Sequence, residues 1–187
     1  MTFKAIGALT GLSVVAALAS SDAQATIYTV DAINPVSSWL DTGIDANPAT
    51  TYDFTVIDPS TTWSAGATAS RTSNANGINP STLINGTGPG TYGQETMLGY
   101  TFNFGALVGE DSSSFFLIGT GPTTLNGLSG EIHVGYWDSN YSDNSGSQTL
   151  SAGAVPEAST WAMMLAGFGF LGCAFYRRSR KIGPVLA

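Results

Sequence analysis

Apolar and polar side chains take turns along three stretches of the chain. Tyr52, Phe54 and Val56 alternate with Asp53 and Thr55; Leu98, Tyr100, Phe102 and Phe104 with Gly99, Thr101 and Asn103; Ile132, Val134 and Tyr136 with Glu131, His133 and Gly135. A period of two is the mark of a strand with one face in the core and one in water. Shorter strand candidates are Ile27 to Val30, Trp39 to Ile44, Ser114 to Ile118 and Ser147 to Ala152. They are separated by turn-forming runs such as Asn85-Gly86-Thr87-Gly88-Pro89-Gly90 and Gly119-Thr120-Gly121-Pro122. No helical period occurs before Trp161. Seven or eight short strands with Gly- and Pro-rich turns predict an all-β antiparallel β-sandwich. The polar, turn-rich stretch from Ser70 to Thr91 reads as a long surface loop.

The ends of the 187-residue chain are unlike this middle, which leaves roughly 130 residues and hence one domain. Charged residues are 10% of the total, well under the usual quarter, so the surface must be built from Ser, Thr, Asn and Gly. Between Thr26 and Val155 the acids outnumber the bases eleven to one, Arg71 being the one base. That surface repels phosphates and excludes nucleic acid as a partner. The single cysteine, Cys173, lies in the apolar tail, so the sandwich has no disulfide and any staple is non-covalent or a metal. No catalytic motif appears. His133 shares a strand face with Glu131 and reads as an exposed strand residue; Gly88-Pro89-Gly90-Thr91-Tyr92-Gly93 has the G-x-G-x-x-G spacing without a βαβ unit around it. The chain is expected not to be an enzyme.

Met1 to Ala25 has Lys4 near its start, an apolar run from Ala5 to Ala19 and the small-residue triplet Ala23-Gln24-Ala25. This is the pattern of a secretory signal helix cut before Thr26, with Ala23 and Ala25 at the cleavage site and the Sec export machinery as partner. At the other end, Trp161 to Tyr176 carries no charge and rises about 24 Å as a helix, against about 30 Å of hydrocarbon. A transmembrane helix over about 159–176 is expected, with the basic end 177–181 (Arg177, Arg178, Arg180, Lys181) held on the cytoplasmic side. The predicted layout is a signal peptide over 1–25, a sandwich over 26–154 and a tail over 155–187.

The tail resembles a known family. Val155-Pro156-Glu157-Ala158, the Trp161-Ala162-Met163-Met164 run, Gly167-Phe168-Gly169 and Arg177-Arg178 occur in the order of the PEP-CTERM sorting tail of Gram-negative bacteria. Ala158 stands where that motif has a second proline. The resemblance implies recognition by an exosortase, a membrane-embedded cysteine protease. It would cut near Pro156-Glu157 and turn an inner-membrane-anchored intermediate into a cell-surface or extracellular-matrix protein.

The most chemically pointed stretch of the middle is Tyr136-Trp137-Asp138-Ser139-Asn140-Tyr141-Ser142-Asp143-Asn144-Ser145-Gly146-Ser147. Asp138, Asn140, Asp143 and Asn144 put hard oxygen donors within seven residues, with no His or Cys, which suits Ca²⁺ rather than zinc or copper. On spacing alone the stronger reading is a hairpin loop whose Asp and Asn side chains bond their own backbone, since no EF-hand pattern is present. A resemblance bears on the choice. Phe115-Phe116-Leu117-Ile118-Gly119, Leu128-Ser129-Gly130-Glu131-Ile132 and Tyr136-Trp137-Asp138 with Tyr141 to Ser147 look like the C-terminal half of PA-I type galactophilic lectins. Trp39 to Ile44 and Tyr52 to Thr55 look like the early strands of the same jelly-roll sandwich.

That resemblance implies calcium at Asp138, Asn140, Asp143 and Asn144, with a backbone carbonyl near Gly66, and sugar hydroxyls on the ion. The loop here is two residues shorter, and the family's sugar-contacting histidine and glutamine have no counterpart between Arg71 and Leu83. Calcium is therefore implied more firmly than galactose. Trp137, Tyr141 and Trp63 are the aromatic candidates for stacking on a sugar. Three readings stay open: a calcium-assisted binder of carbohydrate or exopolysaccharide; a structural surface or biofilm-matrix protein stiffened by calcium; and an ice-binding protein, which the tail type also permits but which lacks a regular Thr repeat here.

Overall fold

The computed structural model describes residues 25–66, 71–84, 90–156 and 158–179. The predicted signal helix, its cleavage residue Ala23, Glu157 and the end of the basic cluster lie outside them.

Twelve strands precede one helix: β1 (Thr26–Asp31), β2 (Leu40–Ala46), β3 (Tyr52–Val56), β4 (Trp63–Ser64), β5 (Thr72–Ser73), β6 (Gln94–Met97), β7 (Tyr100–Asn103), β8 (Leu107–Glu110), β9 (Phe115–Leu117), β10 (Thr123–Leu125), β11 (Gly130–Tyr136), β12 (Ser147–Ala154) and α1 (Ala158–Ser179). Eight of the strands form two four-stranded sheets, ordered β1-β12-β3-β10 and β2-β11-β8-β9. Every pairing is antiparallel. Along the chain these eight change sheet at every step except β8 to β9. That interleaving is the double Greek key of a jelly roll. The pairs β4-β5 and β6-β7 are two-stranded additions to it.

The predicted alternation places the core. Tyr52, Phe54 and Val56 of β3 and Ile132, Val134 and Tyr136 of β11 are all buried, and they meet Val30 of β1 and Leu150 of β12 between the sheets. Each such aliphatic or aromatic side chain contributes roughly 1.5–3 kcal/mol when withdrawn from water. Phe54 and Phe116 lie 5.5 Å apart across the sandwich, and Trp63 stands edge-on to Tyr136 at 4.4 Å.

A second apolar cluster lies on the outer face of the β2-β11-β8-β9 sheet. Trp39, Ala106, Val108 and Trp137 are buried there under Met97, Tyr100 and Phe102 of the β6-β7 hairpin. Trp39 lies flat over Gly135, where any Cβ would run into its indole. This layer corrects two sequence expectations. Leu98 to Phe104 is not one strand: Leu98 and Gly99 both take positive φ, 52° and 86°, and form the tip of a hairpin. That is the backbone a two-residue hairpin turn requires. Strand β8 escaped notice because Leu107 faces the inner core and Val108 the outer cluster, so burial on both faces erases the period of two.

The stretch from Ser70 to Thr91 is not simply a surface loop. Ala75 and Ile78 are buried in the main core, β5 pairs with β4, and Asn76 bridges to Ala106. Two small apolar anchors amid polar residues leave no periodic trace.

Helix α1 spans 22 residues, about 33 Å at the usual rise. Among the described residues no helix is long and apolar enough to cross a membrane, in place of the span expected over 159–176. Gly167, Gly169 and Gly172 offer no apolar side chain along this helix. The Met163, Leu165, Phe168 and Phe170 side chains are exposed.

Candidate functional site

The site forms where β11 ends. Trp137 is 0% exposed and donates its indole N–H to the Glu95 carbonyl at 3.0 Å, which fastens β6 to the end of β11. The chain then turns. Asp138 accepts the Asn140 N–H at 2.8 Å, Ser142 donates its hydroxyl to Asn140 Oδ1 at 3.0 Å, and Tyr141–Asp143 forms a single 3₁₀ turn. This is the self-bonded loop that Asp and Asn favour. Asn144 is buried and donates its side-chain N–H to the Ala32 carbonyl at 3.1 Å. Ser145 exchanges backbone hydrogen bonds with Ser64, and Gly146, at φ 89°, takes a left-handed backbone that favours glycine and passes tightly over Trp63.

Asp138, Asn140 and Asp143 line one cavity of about 310 Å³ together with Glu95, Arg71 and Tyr92. Asn144 is held by Ala32 just outside this lining, its amide near enough to Asp138 to favour the charged carboxylate. Asp143 turns toward Arg71, whose Nη1 donates to Asp143 Oδ2 at 3.2 Å and to the Ala65 carbonyl at 3.3 Å. The carbonyl of Gly66 accepts the Ser64 hydroxyl.

Burial pushes the Asp138 carboxyl up to about 6, and the negative charge of Glu95 adds to the rise against the opposing Asn140 N–H. Glu95 is 8% exposed; its Oε1 accepts the Ser139 N–H at 3.1 Å, while its Oε2 has no partner. Asn144 Oδ1 and the Tyr92 hydroxyl are likewise buried and partnerless. Buried oxygens left unsatisfied are costly; here those of Glu95 and Tyr92 belong to residues lining the cavity, and Asn144 lies just outside that lining. The donor set is all oxygen and carries an excess of negative charge, which suits a hard divalent cation. Among the described residues no three of His, Cys, Asp and Glu converge closely enough to hold a metal by themselves, so amides, carbonyls or ligand oxygens must contribute.

Two aromatic expectations are corrected. Trp63 is 1% exposed with its N–H given to the Gly105 carbonyl at 2.8 Å, and Trp137 is fully enclosed, so neither has a ring face open to a sugar. Both fill core positions where an indole needs an acceptor for its N–H. Tyr141 is 42% exposed and borders a shallow groove with Met97, Leu98 and Ser139.

Sequence reasoning passed over Glu95, Arg71 and Tyr92. Glu95 had a signal: in β6 it pairs opposite Phe102, between the outward Gln94 and Thr96, and an acid at an inward strand position needs a reason. His133 is half-buried on the outer sheet face, opposite both Asp41 and Glu110.

Of the tail residues, Pro156 is exposed at the exit from β12, and Gly167 and Gly169 sit in α1 with open space around them. The Trp161, Arg177 and Arg178 side chains lie outside the described structure.

No curated protein matches the chain. Among solved structures it is similar to the EclA N-terminal domain, a PllA-like lectin, at 13% identity and a TM-score of 0.46, over 69% of this chain and 95% of that one. Residues 154–181 match the PEP-CTERM protein-sorting motif, so the chain carries the tail of an exported, exosortase-processed protein.

Proposed function

We propose that the protein is a non-catalytic surface or matrix protein of a Gram-negative bacterium. In this reading an exosortase frees it from an inner-membrane-anchored intermediate, and its sandwich binds carbohydrate or exopolysaccharide beside a calcium ion at the Asp138–Asn144 loop. The observation that carries the binding reading is the cavity beside Asp138, whose lining residue Glu95 has a buried carboxylate oxygen without a partner. Asp138, Asn140 and Asn144 are the residues that would hold the ion, while Asp143 is paired with Arg71. Calcium, when bound, would supply open coordination positions for sugar hydroxyls. This chain's own part is to orient the ligand: Tyr92 and Arg71 offer donors at the cavity wall, and Tyr141 offers an exposed ring beside it.

The structural-matrix reading has one observation in its favour. The loop already satisfies much of itself through the Asp138–Asn140 turn and the Arg71–Asp143 pair. A glycan array that includes the host's own polysaccharides, run with calcium and with chelator, separates the two. Calcium-dependent hits are expected; an array blank in both conditions sinks the carbohydrate reading. For sorting, replacing Pro156 and Glu157 should leave an uncut, membrane-associated species on fractionation, and unchanged release would refute it.

A further inference from the structure

We infer that Glu95 on the β6-β7 hairpin, not Asp143, supplies the second anionic oxygen to a divalent cation in the Asp138 cavity, so that the ion is clamped between the hairpin and the end of β11. This rests on the calcium reading and names a ligand that the loop sequence does not contain.

The geometry separates the two acids. Asp143 is 41% exposed, and its charge is met by Arg71 at 3.2 Å. Glu95 is enclosed and aims its carboxylate into the same cavity as Asp138, with one oxygen fixed by the Ser139 N–H and the other bare. Arg71 is the only Lys or Arg between Thr26 and Val155, and its Nη1 is committed to Asp143 and Ala65. One guanidinium therefore stands against three carboxylates, Glu95, Asp138 and Asp143, around the same cavity, and its Nη1 is turned to Asp143 rather than to the enclosed pair. Two enclosed carboxylates bordering one cavity repel each other, which adds to the cost of leaving water and favours a bound cation.

The backbone around Glu95 is also built to hold position. Its carbonyl takes the Trp137 indole N–H, its cross-strand partner Phe102 stands edge-on to Trp137 at 4.9 Å, and Tyr100 and Phe115 pack alongside. A side chain set on a paired strand and fastened at two points places its oxygen more reproducibly than one on a solvent loop. With Asp138, and with Asn144 Oδ1 also bare, Glu95 gives the hard, oxygen-only donor set that Ca²⁺ takes, with water or ligand hydroxyls completing the shell.

The test uses the full chain in mild detergent, stripped with chelator and then titrated with CaCl₂ under scanning calorimetry, for the native sequence, Glu95→Gln and Asp143→Asn. Tb³⁺ luminescence excited through tryptophan serves as a second readout. The native chain and Asp143→Asn should rise in Tm by several degrees on millimolar calcium. Glu95→Gln should lose the rise and bind at least tenfold more weakly, while melting no lower than the native chain without metal, because the amide keeps the Ser139 bond and removes a charge. Glu95→Asp, which keeps the charge but shortens the reach, should retain a reduced Tb³⁺ signal.

A full calcium response in Glu95→Gln, or its loss in Asp143→Asn, overturns this inference and leaves the calcium reading standing. A metal-free Glu95→Gln that melts lower or fails to fold marks a structural carboxylate and overturns it as well. No response in the native chain removes the calcium reading and this inference together.

Discussion

Asp111 and Asp138 are buried to nearly the same degree, 5% and 7% exposed, and each follows a strand of the same sheet, at opposite ends of it. Their surroundings are opposite. Asp111 accepts the Ser113 and Ser114 backbone N–H groups and both hydroxyls on one oxygen, and the Ser129 N–H on the other. Burial alone would raise its pKa, but these donors hold it below the ordinary aspartate value. Asp138 has one backbone donor and faces another carboxylate, and its pKa is raised to about 6. One end of the sheet uses a buried acid to tie the β8-β9 turn to the start of β11; the other leaves buried acids short of partners. A satisfied acid serves the fold, whereas an unsatisfied one points to a ligand.

The sharpest way to break this contrast is Asp111→Ala. It strips the acceptor from three backbone N–H groups at once and should cost about 3 kcal/mol in urea unfolding. A loss under about 1 kcal/mol would erase the distinction. Asp138→Asn should act in the opposite direction without metal, adding on the order of 1 kcal/mol at pH 7, since the amide keeps the Asn140 bond and relieves the repulsion from Glu95.

Acidity separates the pair further. The folded pKa of Asp111 is lowered, so its contribution to stability is intact above the unfolded value near 4 and is lost as the pH falls through the folded value. Asp138 is raised, so its contribution is complete below about 4 and is lost as the pH rises toward 6. Melting curves in chelator should therefore show the advantage of Asp138→Asn absent at pH 4 and present at pH 7; a constant advantage would refute the assignment. The smallest effect belongs to Arg71→Gln. It breaks a half-exposed ion pair and should cost less than about 1 kcal/mol, falling further in high salt.

What the sequence made legible follows from which faces meet water. Strand β3 and the start of β11 announced themselves because a face partly open to water preserves alternation beside an apolar one, while β1, β2, β9 and β12 read as shorter strand candidates between turn-forming runs. Strand β8 did not, because the β6-β7 hairpin covers its outer face, and no local pattern foretells a cover supplied by a distant segment. Ala75 and Ile78 were invisible for a related reason, being isolated anchors in polar chain.

The candidate site divides in the same way. Asp138, Asn140, Asp143 and Asn144 were legible because their oxygens crowd one short loop. Glu95 lies more than forty residues earlier, and the Trp137 indole bond to its carbonyl and the Ser139 N–H bond to its carboxylate bring it to the cavity. Trp63 and Trp137 misled because a tryptophan near a polar loop looks the same in sequence whether its ring faces a ligand or the core.

Strand β1 begins beside the end of β12, with Thr26 opposite Ala152, and Ala25 and Pro156 border one shallow depression. The two expected processing points, before Thr26 and near Pro156, are therefore neighbours. The Asp138 cavity belongs to the other pole: Asn144 and Gly146 reach Ala32 where β12 starts, and the eight residues of that strand carry the chain about 26 Å away before the tail departs. A protease that cut near Pro156 would therefore act at the far pole from the cavity.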